Sequence, residues 1–474
     1  MTELRRHLSA ATTISIVVGG VIGSGIFMKP SLMAAQLGSP LLLLSVWVVA
    51  GIVTLFGALS NAEAACMFPE TGGQFVFFKK MYGELFAFLY GWSSFAVFNT
   101  AGNASIAYIC SQYIDGFISL PEFSQAIESS CILHIPFIGN IRFLEDIGLK
   151  LLTLSIVIIL SLVSCQSSST SGSLQRILSL MKAAAMLLLV IGLFSSEKAS
   201  LATIVNSPGN IPSGSALLMA YMAASAGAFW AYDGWNNITF VAGEVQNPQK
   251  NIPRSLFIGL SFCILVYFLI NLAYVSILPM EQIAASSVIA TDVSFAVWGP
   301  AGATVIGLLV ILSTLGTANA NIFSTARVTF AMAAENRLFQ QAGKVNARFG
   351  TPANALLLNA SWSGLLIFSG SFDILTDMLI FVSWFFYGMS ALGIFILRKK
   401  MKDSFRPYRV WAYPVVPFIF LCFSATFLVV TLYSDIKNYY DGTSQIANSV
   451  FGLFIALVGI PVYYLGRKKP GSLI

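Results

Sequence analysis

The sequence predicts an all-α membrane protein of twelve transmembrane helices, the first ten forming two inverted five-helix repeats in which helices one and six are broken. Three observations carry that expectation. The composition is apolar and poor in charge, apolar runs long enough to cross a bilayer recur along the whole chain, and two of those runs, five spans apart, are interrupted by glycine and polar residues.

Of the 474 residues, 57% are hydrophobic and 10% charged, and the mean hydropathy is +0.80. A soluble globular chain carries about 25% charged residues, so water is not the solvent for most of this surface. An α-helix needs about 20 residues to cross ~30 Å of hydrocarbon, which is the length at which the apolar runs repeat. Six cysteines, Cys66, Cys110, Cys131, Cys165, Cys263 and Cys422, follow no CxxC or Cys/His spacing. All but Cys131 fall in or at the ends of apolar runs, where cysteine behaves as a small hydrophobe, so neither a metal site nor a disulfide framework is expected. Basic residues precede the first apolar stretch, but it continues to about Ala35 with no small-residue cleavage site, and so reads as a membrane helix rather than a signal peptide.

The expected spans are about 10–36, 41–66, 84–115, 149–165, 174–194, 213–241, 255–278, 293–331, 353–371, 374–397, 410–433 and 446–466. They make a single transmembrane domain over 1–474, with repeat one at about 10–194, repeat two at about 213–397, and two appended helices at about 410–466. Of the 26 lysines and arginines, 20 fall on the side of the N-terminus, among them Arg5, Arg6, Lys79, Lys80, Arg398, Lys399 and Lys400. Only five, Lys29, Arg142, Lys150, Lys198 and Lys437, fall on the other side, and Lys182 lies inside a span. Basic residues collect on the cytoplasmic face, so both termini are expected there, in an inner or plasma membrane.

Span one carries Gly19-Gly20-Val21-Ile22-Gly23-Ser24-Gly25-Ile26-Phe27 at mid-membrane, and span six carries Phe229-Trp230-Ala231-Tyr232-Asp233-Gly234-Trp235-Asn236-Asn237. Five spans apart, the two run in opposite directions, and such paired interruptions point to an inverted-repeat transporter with its site between the repeats. Unwinding at Gly23-Ser24-Gly25 exposes backbone N–H groups that hydrocarbon cannot satisfy. At the positive end of the restarted half-helix they suit an anionic group such as an α-carboxylate, with the Ser24 hydroxyl as a further donor. A glycine cluster alone would equally describe a helix-packing face. Carbonyls near Val21, Trp230 and Asp233 could accept from an ammonium group. An intramembrane carboxylate such as Asp233 is a functional hypothesis by default, whether it meets a cationic side chain, binds a proton or braces the unwound segment. Lys182 reads either as a snorkelling lysine or as a tethered ammonium in the place of a coupling cation, facing the loosened part of span one. Asn319 and Asn321, with Ser313, Thr314 and Thr317, form a polar stripe on span eight, suited to interhelical hydrogen bonds or to lining a cavity. Glu63 is expected at the interface. The Asn-x-Ser/Thr matches at Asn103, Asn237 and Asn359 lie inside spans and are not glycosylation acceptors. No nucleotide-binding loop, nucleophile–base set or metal cluster is present in the sequence, so no enzyme activity, cofactor or nucleic-acid partner is expected.

These motifs resemble the amino acid–polyamine–organocation (APC) superfamily and, within it, the L-type amino acid transporter (LAT) branch with its bacterial serine/threonine and alanine/serine/cysteine exchangers. The resemblance rests on Ile22-Gly23-Ser24-Gly25-Ile26-Phe27, on Ala231-Tyr232-Asp233-Gly234-Trp235-Asn236 with Glu244-Val-Gln-Asn-Pro248, on Asn319-Ala-Asn-Ile-Phe-Ser-Thr-Ala-Arg327, and on the position of Lys182. It implies a LeuT-like fold and sodium-independent exchange by alternating access. It places a substrate carboxylate at Ser24 and Gly25, the amine at carbonyls near Val21, Trp230 and Asp233, gating at Trp230 and Tyr232, and a link to the cytoplasmic gate at Lys182. Gly23, Tyr232 and Asn319 complete the expected substrate-binding set. The external loop at about 117–148 is longer than in compact bacterial members and holds Cys131, in the region where animal relatives bond a heavy chain. A single cysteine makes no case for that partner, and none is expected. The expected function is an antiporter of small neutral L-amino acids. The alternatives are a proton-coupled amino acid symporter using Lys182 or Asp233, and an exchanger of cationic amino acids or polyamines with Asp233 as counter-charge.

Overall fold

The computed structural model describes residues 6–128, 132–135, 139–166, 168–205, 211–336, 338–369, 372–442 and 447–466. Cys131 and the basic residues Arg5, Arg337, Arg467, Lys468 and Lys469 lie outside the described residues.

The chain enters with α1 (Ala10–Val21), whose N-cap Ser9 accepts from the Thr12 amide at 3.4 Å, as a serine at that position should. After a break at Ile22–Ser24 the helix restarts as α2 (Gly25–Leu37) and stops at Gly38, whose φ of 61° is the left-handed cap glycine favours. Helix α3 (Pro40–Met67) begins at once, with Ser39 as cap and proline at the first helical position. Then come α4 (Gln74–Met81), α5 (Glu84–Ser93) and α6 (Asn99–Asp115). Residues 84–115 are helical throughout, because a π-helical stretch, Ser94–Phe98, joins α5 to α6. The Thr100 hydroxyl, in the first turn of α6, donates back to the Phe95 carbonyl of that stretch at 2.6 Å.

The long loop holds a short α7 (Gln125–Glu128) and an antiparallel hairpin of β1 (Ile132–Ile135) and β2 (Gly139–Arg142), in which Ile132 pairs with Arg142 and Ile135 with Gly139. This hairpin is the one sheet among the described residues, beside an isolated parallel bridge between Leu8 and Val245. Helices α8 (Ile147–Gln166), α9 (Ser168–Phe194) and the short α10 (Leu201–Val205) follow. Next, α11 (Gly214–Tyr232) breaks at Asp233–Asn236 and restarts as the single turn α12 (Asn237–Phe240). Helix α13 (Pro248–Ile277) starts earlier than its apolar run, again with proline in the first turn, and precedes α14 (Met280–Ala285). Helix α15 (Ile289–Glu335) kinks at Gly299, φ 67°, beside Pro300. The chain ends with α16 (Ala353–Ser369), α17 (Phe372–Lys400), α18 (Val415–Tyr440) and α19 (Asn448–Gly466).

Among the described residues, ten helices are long and apolar enough to cross a membrane, the broken pair α1–α2 counting as one. The expected third span is the composite α5–α6, and the expected ninth is the 17-residue α16. This is a multi-pass membrane architecture.

One end of the bundle, the end of the N-terminus, is tied by buried polar contacts. The His7 and Leu8 amides both donate to the Glu244 carbonyl at 2.9 Å. The Glu244 carboxylate accepts Arg327 Nε at 2.9 Å and Nη2 at 3.4 Å, with side chains 1% and 0% exposed, and the guanidinium stacks on Phe323 at 3.7 Å. Asn61 donates to Asn236 at 2.7 Å, Asn236 to Gln74 at 2.5 Å, and Ser390 to Asn61 at 2.7 Å. Glu63, expected at the interface, is instead buried. Its carboxylate accepts Arg398 Nε at 2.9 Å, Arg398 Nη2 at 2.7 Å and the Val410 amide at 2.8 Å. Arg398 and Arg406 come from beyond the chain's midpoint, so the pairing that buries Glu63 is tertiary. Cys66, Cys110 and Cys263 are buried, Cys165 partly so, and Cys422 is exposed.

Candidate functional site

The two breaks meet. A Cβ on Gly20 would stand 3.0 Å from the Gly234 carbonyl oxygen, and one on Gly234 would stand 2.6 Å from the Gly20 oxygen. Gly234 also has φ 97°, a backbone conformation that side chains disfavour. The restarted half-helix is equally tight against α11, because a Cβ on Gly25 would lie 2.5 Å from the Ala231 Cα.

Carbonyls released where α1 ends are taken up by three neighbouring helices. Lys182 of α9 donates to the Gly19 oxygen at 2.6 Å, the Ile22 oxygen at 2.7 Å and Thr317 Oγ1 at 2.7 Å. It is 4% exposed, so it does not snorkel to the surface. Thr317 of α15 lies 2.8 Å from the Ile22 oxygen. From α13, the Tyr267 hydroxyl lies 2.7 Å from the Val21 oxygen and 3.0 Å from the Ala231 oxygen, sharing its proton between the two breaks. On the α11 side, Asp233 is extended (φ −66°, ψ 158°) and accepts the Tyr387 hydroxyl of α17 at 2.8 Å.

Between the breaks lies a cavity of about 30 Å³ lined by Gly20, Val21, Gly23, Ser24, Gly25, Phe98, Asn99, Gly102, Ile106, Trp230, Ala231, Asp233, Gly234, Thr317 and Asn321. The Ser24 hydroxyl makes no capping bond to its own helix.

Of the residues read from the sequence, Val21, Gly23, Ser24, Gly25, Trp230 and Asp233 come together on this cavity, and Lys182 stands directly behind it. Two do not line it. Tyr232 points the other way and donates to the Trp47 carbonyl at 3.0 Å, packed between Trp47 and Tyr267. Helical rotation of about 100° per residue separates it from Trp230, so the Tyr232 ring packs away from the cavity. Asn319 is fully buried off the cavity, and Asn321, about 200° further round α15, takes the lining position. Asn321 donates to Asn103 of α6 at 2.9 Å.

Sequence reading missed Phe98, Asn99, Gly102 and Ile106 of the third span, together with Tyr267 and Tyr387. The polar, small-residue run Asn99-Thr-Ala-Gly102-Asn103 inside an apolar span was the available signal. The π-helical stretch just before it is a type of irregularity often found at functional sites.

A second cavity, of about 220 Å³, lies in the half of the bundle away from the N-terminus, among α2, α11, α17 and α18. Trp230 lines both cavities.

Discontinuous helices meeting around a small polar cavity define a membrane transporter of the broken-helix kind. The family model for amino acid permeases matches residues 8–460, and the chain belongs to that family, within the APC superfamily. It is 30% identical over 473 residues to the "large neutral amino acids transporter small subunit 2" of Mus musculus, covering 98% of this chain and 82% of that one. It is 29% identical over 474 residues to the human "cystine/glutamate transporter", covering 99% and 87%. It is 28% identical over 477 residues to the "serine/threonine exchanger SteT" of Bacillus subtilis (strain 168), covering 99% and 98%. The protein is an amino acid transporter of LAT-like kind, not an enzyme.

Proposed function

We propose that the chain is a sodium-independent exchanger of small neutral L-amino acids, working by alternating access in the cell membrane with both termini cytoplasmic. The proposed architecture is LeuT-like: twelve crossings, two inverted repeats and two appended helices. The observation that carries the exchanger reading is the Lys182 ammonium, bonded at 2.6–2.7 Å to Gly19, Ile22 and Thr317. A fixed cation already satisfies the carbonyls that a mobile coupling ion would otherwise bind. The N-terminus of α2 would receive the substrate carboxylate at Ser24 and Gly25, where helix-end N–H groups favour an anion. The Val21 carbonyl, once Tyr267 releases it, and carbonyls near Trp230 and Asp233 would receive the ammonium, with Trp230 closing over the cargo. The exchanger named among the relatives supports the same mode.

Small cargo follows from the walls. Phe98, Ile106 and Trp230 crowd the cavity, and Thr317 meets Gly23 so closely that a Cβ there would lie 2.9 Å from its Cγ2. The small-subunit relatives notwithstanding, the chain is proposed to act without a heavy chain, and transport by the purified chain alone tests this.

Counterflow decides between the modes. Vesicles preloaded with unlabelled serine, alanine or leucine should take up the labelled amino acid faster than empty ones, in sodium or in choline medium. Uptake into empty vesicles driven by a pH gradient alone would refute exchange and favour proton symport. Asp233 lines the cavity, which also suits a cationic cargo. Competition by arginine or ornithine against serine would reveal that preference.

A further inference from the structure

We propose that the 220 Å³ cavity is a second amino acid site, in which a zwitterion rests before Trp230 admits it to the central one. The proposal rests on amino acid transport by this family and extends it to α18, a helix outside both repeats. One wall holds Lys29 of α2, 5% exposed and followed one and two turns later by Leu32 and Gln36. Another holds Thr431, Ser434, Asp435 and Asn438, an i, i+3, i+4, i+7 polar stripe in the last turns of α18.

Asp435 is anchored at one oxygen, since its Oδ2 accepts the Ser449 amide at 2.9 Å where α19 begins. A cation on one wall and a carboxylate on another complement the two ends of an amino acid zwitterion, its carboxylate toward Lys29 and its ammonium toward Asp435. Met219, Met222, Ile380, Phe381 and Phe427 form an apolar bed for the side chain. The cavity is several times larger than the central one, and Trp230 is common to both.

The test measures half-saturation from each face separately, with radiolabelled serine, alanine and leucine, in right-side-out and inside-out vesicles loaded with unlabelled amino acid. Asp435→Asn keeps shape and the Ser449 contact while removing charge. Met222→Trp fills the cavity without touching charge. Both should raise KM for entry from the face this cavity serves, Asp435→Asn by about tenfold, the value of one charge-assisted hydrogen bond, and leave KM from the other face at the wild-type value. Unchanged KM on both faces, or an equal rise on both, overturns the second site. Wild-type vesicles that move none of these amino acids would overturn the neutral-exchanger reading, and the site with it.

Discussion

Glu244→Gln should spring the bundle open at its N-terminal end. In the structure Arg327 and Glu244 are 0% and 1% exposed and share two hydrogen bonds. Glutamine removes the counter-charge and keeps the volume, while arginine holds its charge at any working pH. A buried ion left without its partner costs about 3–5 kcal/mol. That cost falls on the closed arrangement alone, because opening this end hydrates the guanidinium. On the proposed alternating-access cycle the equilibrium therefore moves toward the open state by about 150-fold or more. The assay is maleimide labelling of Ile106→Cys, which faces the central cavity, with the native cysteines replaced and an impermeant reagent applied from the N-terminal side. Labelling should rise sharply in Glu244→Gln. Adding Arg327→Met should return it toward the parent rate, since removing both partners of a buried pair costs far less than removing one. Labelling of Glu244→Gln at the parent rate would refute the claim that this pair holds the end shut.

Lys182→Met should abolish counterflow, because the Gly19 carbonyl loses its donor while Ile22 keeps Thr317; sodium-stimulated exchange by the unaltered protein would sink the fixed-cation reading. Gly25→Ala should cost about 1–3 kcal/mol or more in overpacking, since its Cβ would sit 2.5 Å from backbone at Ala231; a melting temperature in detergent equal to the parent's would contradict it. Asn321→Ala should change the rank order of competing amino acids, whereas Asn319→Ala should leave that order as it is, because only Asn321 lines the cavity. Competition profiles for the two variants, measured side by side, check this.

Membrane class, the near-complete register of helices and the position of both breaks follow from the sequence alone, since they depend on local properties. Apolar run length sets what can cross a bilayer, and glycine at Gly23, Gly25 and Gly234 marks where a helix loosens and backbones approach. Lys182, Asp233 and Trp230 stood out because a charge in an apolar run, or an aromatic beside a break, is conspicuous along a line. The third-span contribution was not legible in the same way. Asn99 and Gly102 reach the cavity through a π-helical stretch that shifts the face of α6, and no periodicity announces that shift. The choice of Asn321 over Asn319, and the turning of Tyr232 toward Trp47, depend on how α15 and α11 rotate against their neighbours. Glu63 was read as interfacial because its partners, Arg398 and Arg406, stand more than 300 residues away along the chain. The sequence by itself determined what the solvent is, where the helices run and where they break. Which side chains share a cavity was decided only by tertiary packing, because helix rotation and long-range pairing are set by contacts between segments rather than within them.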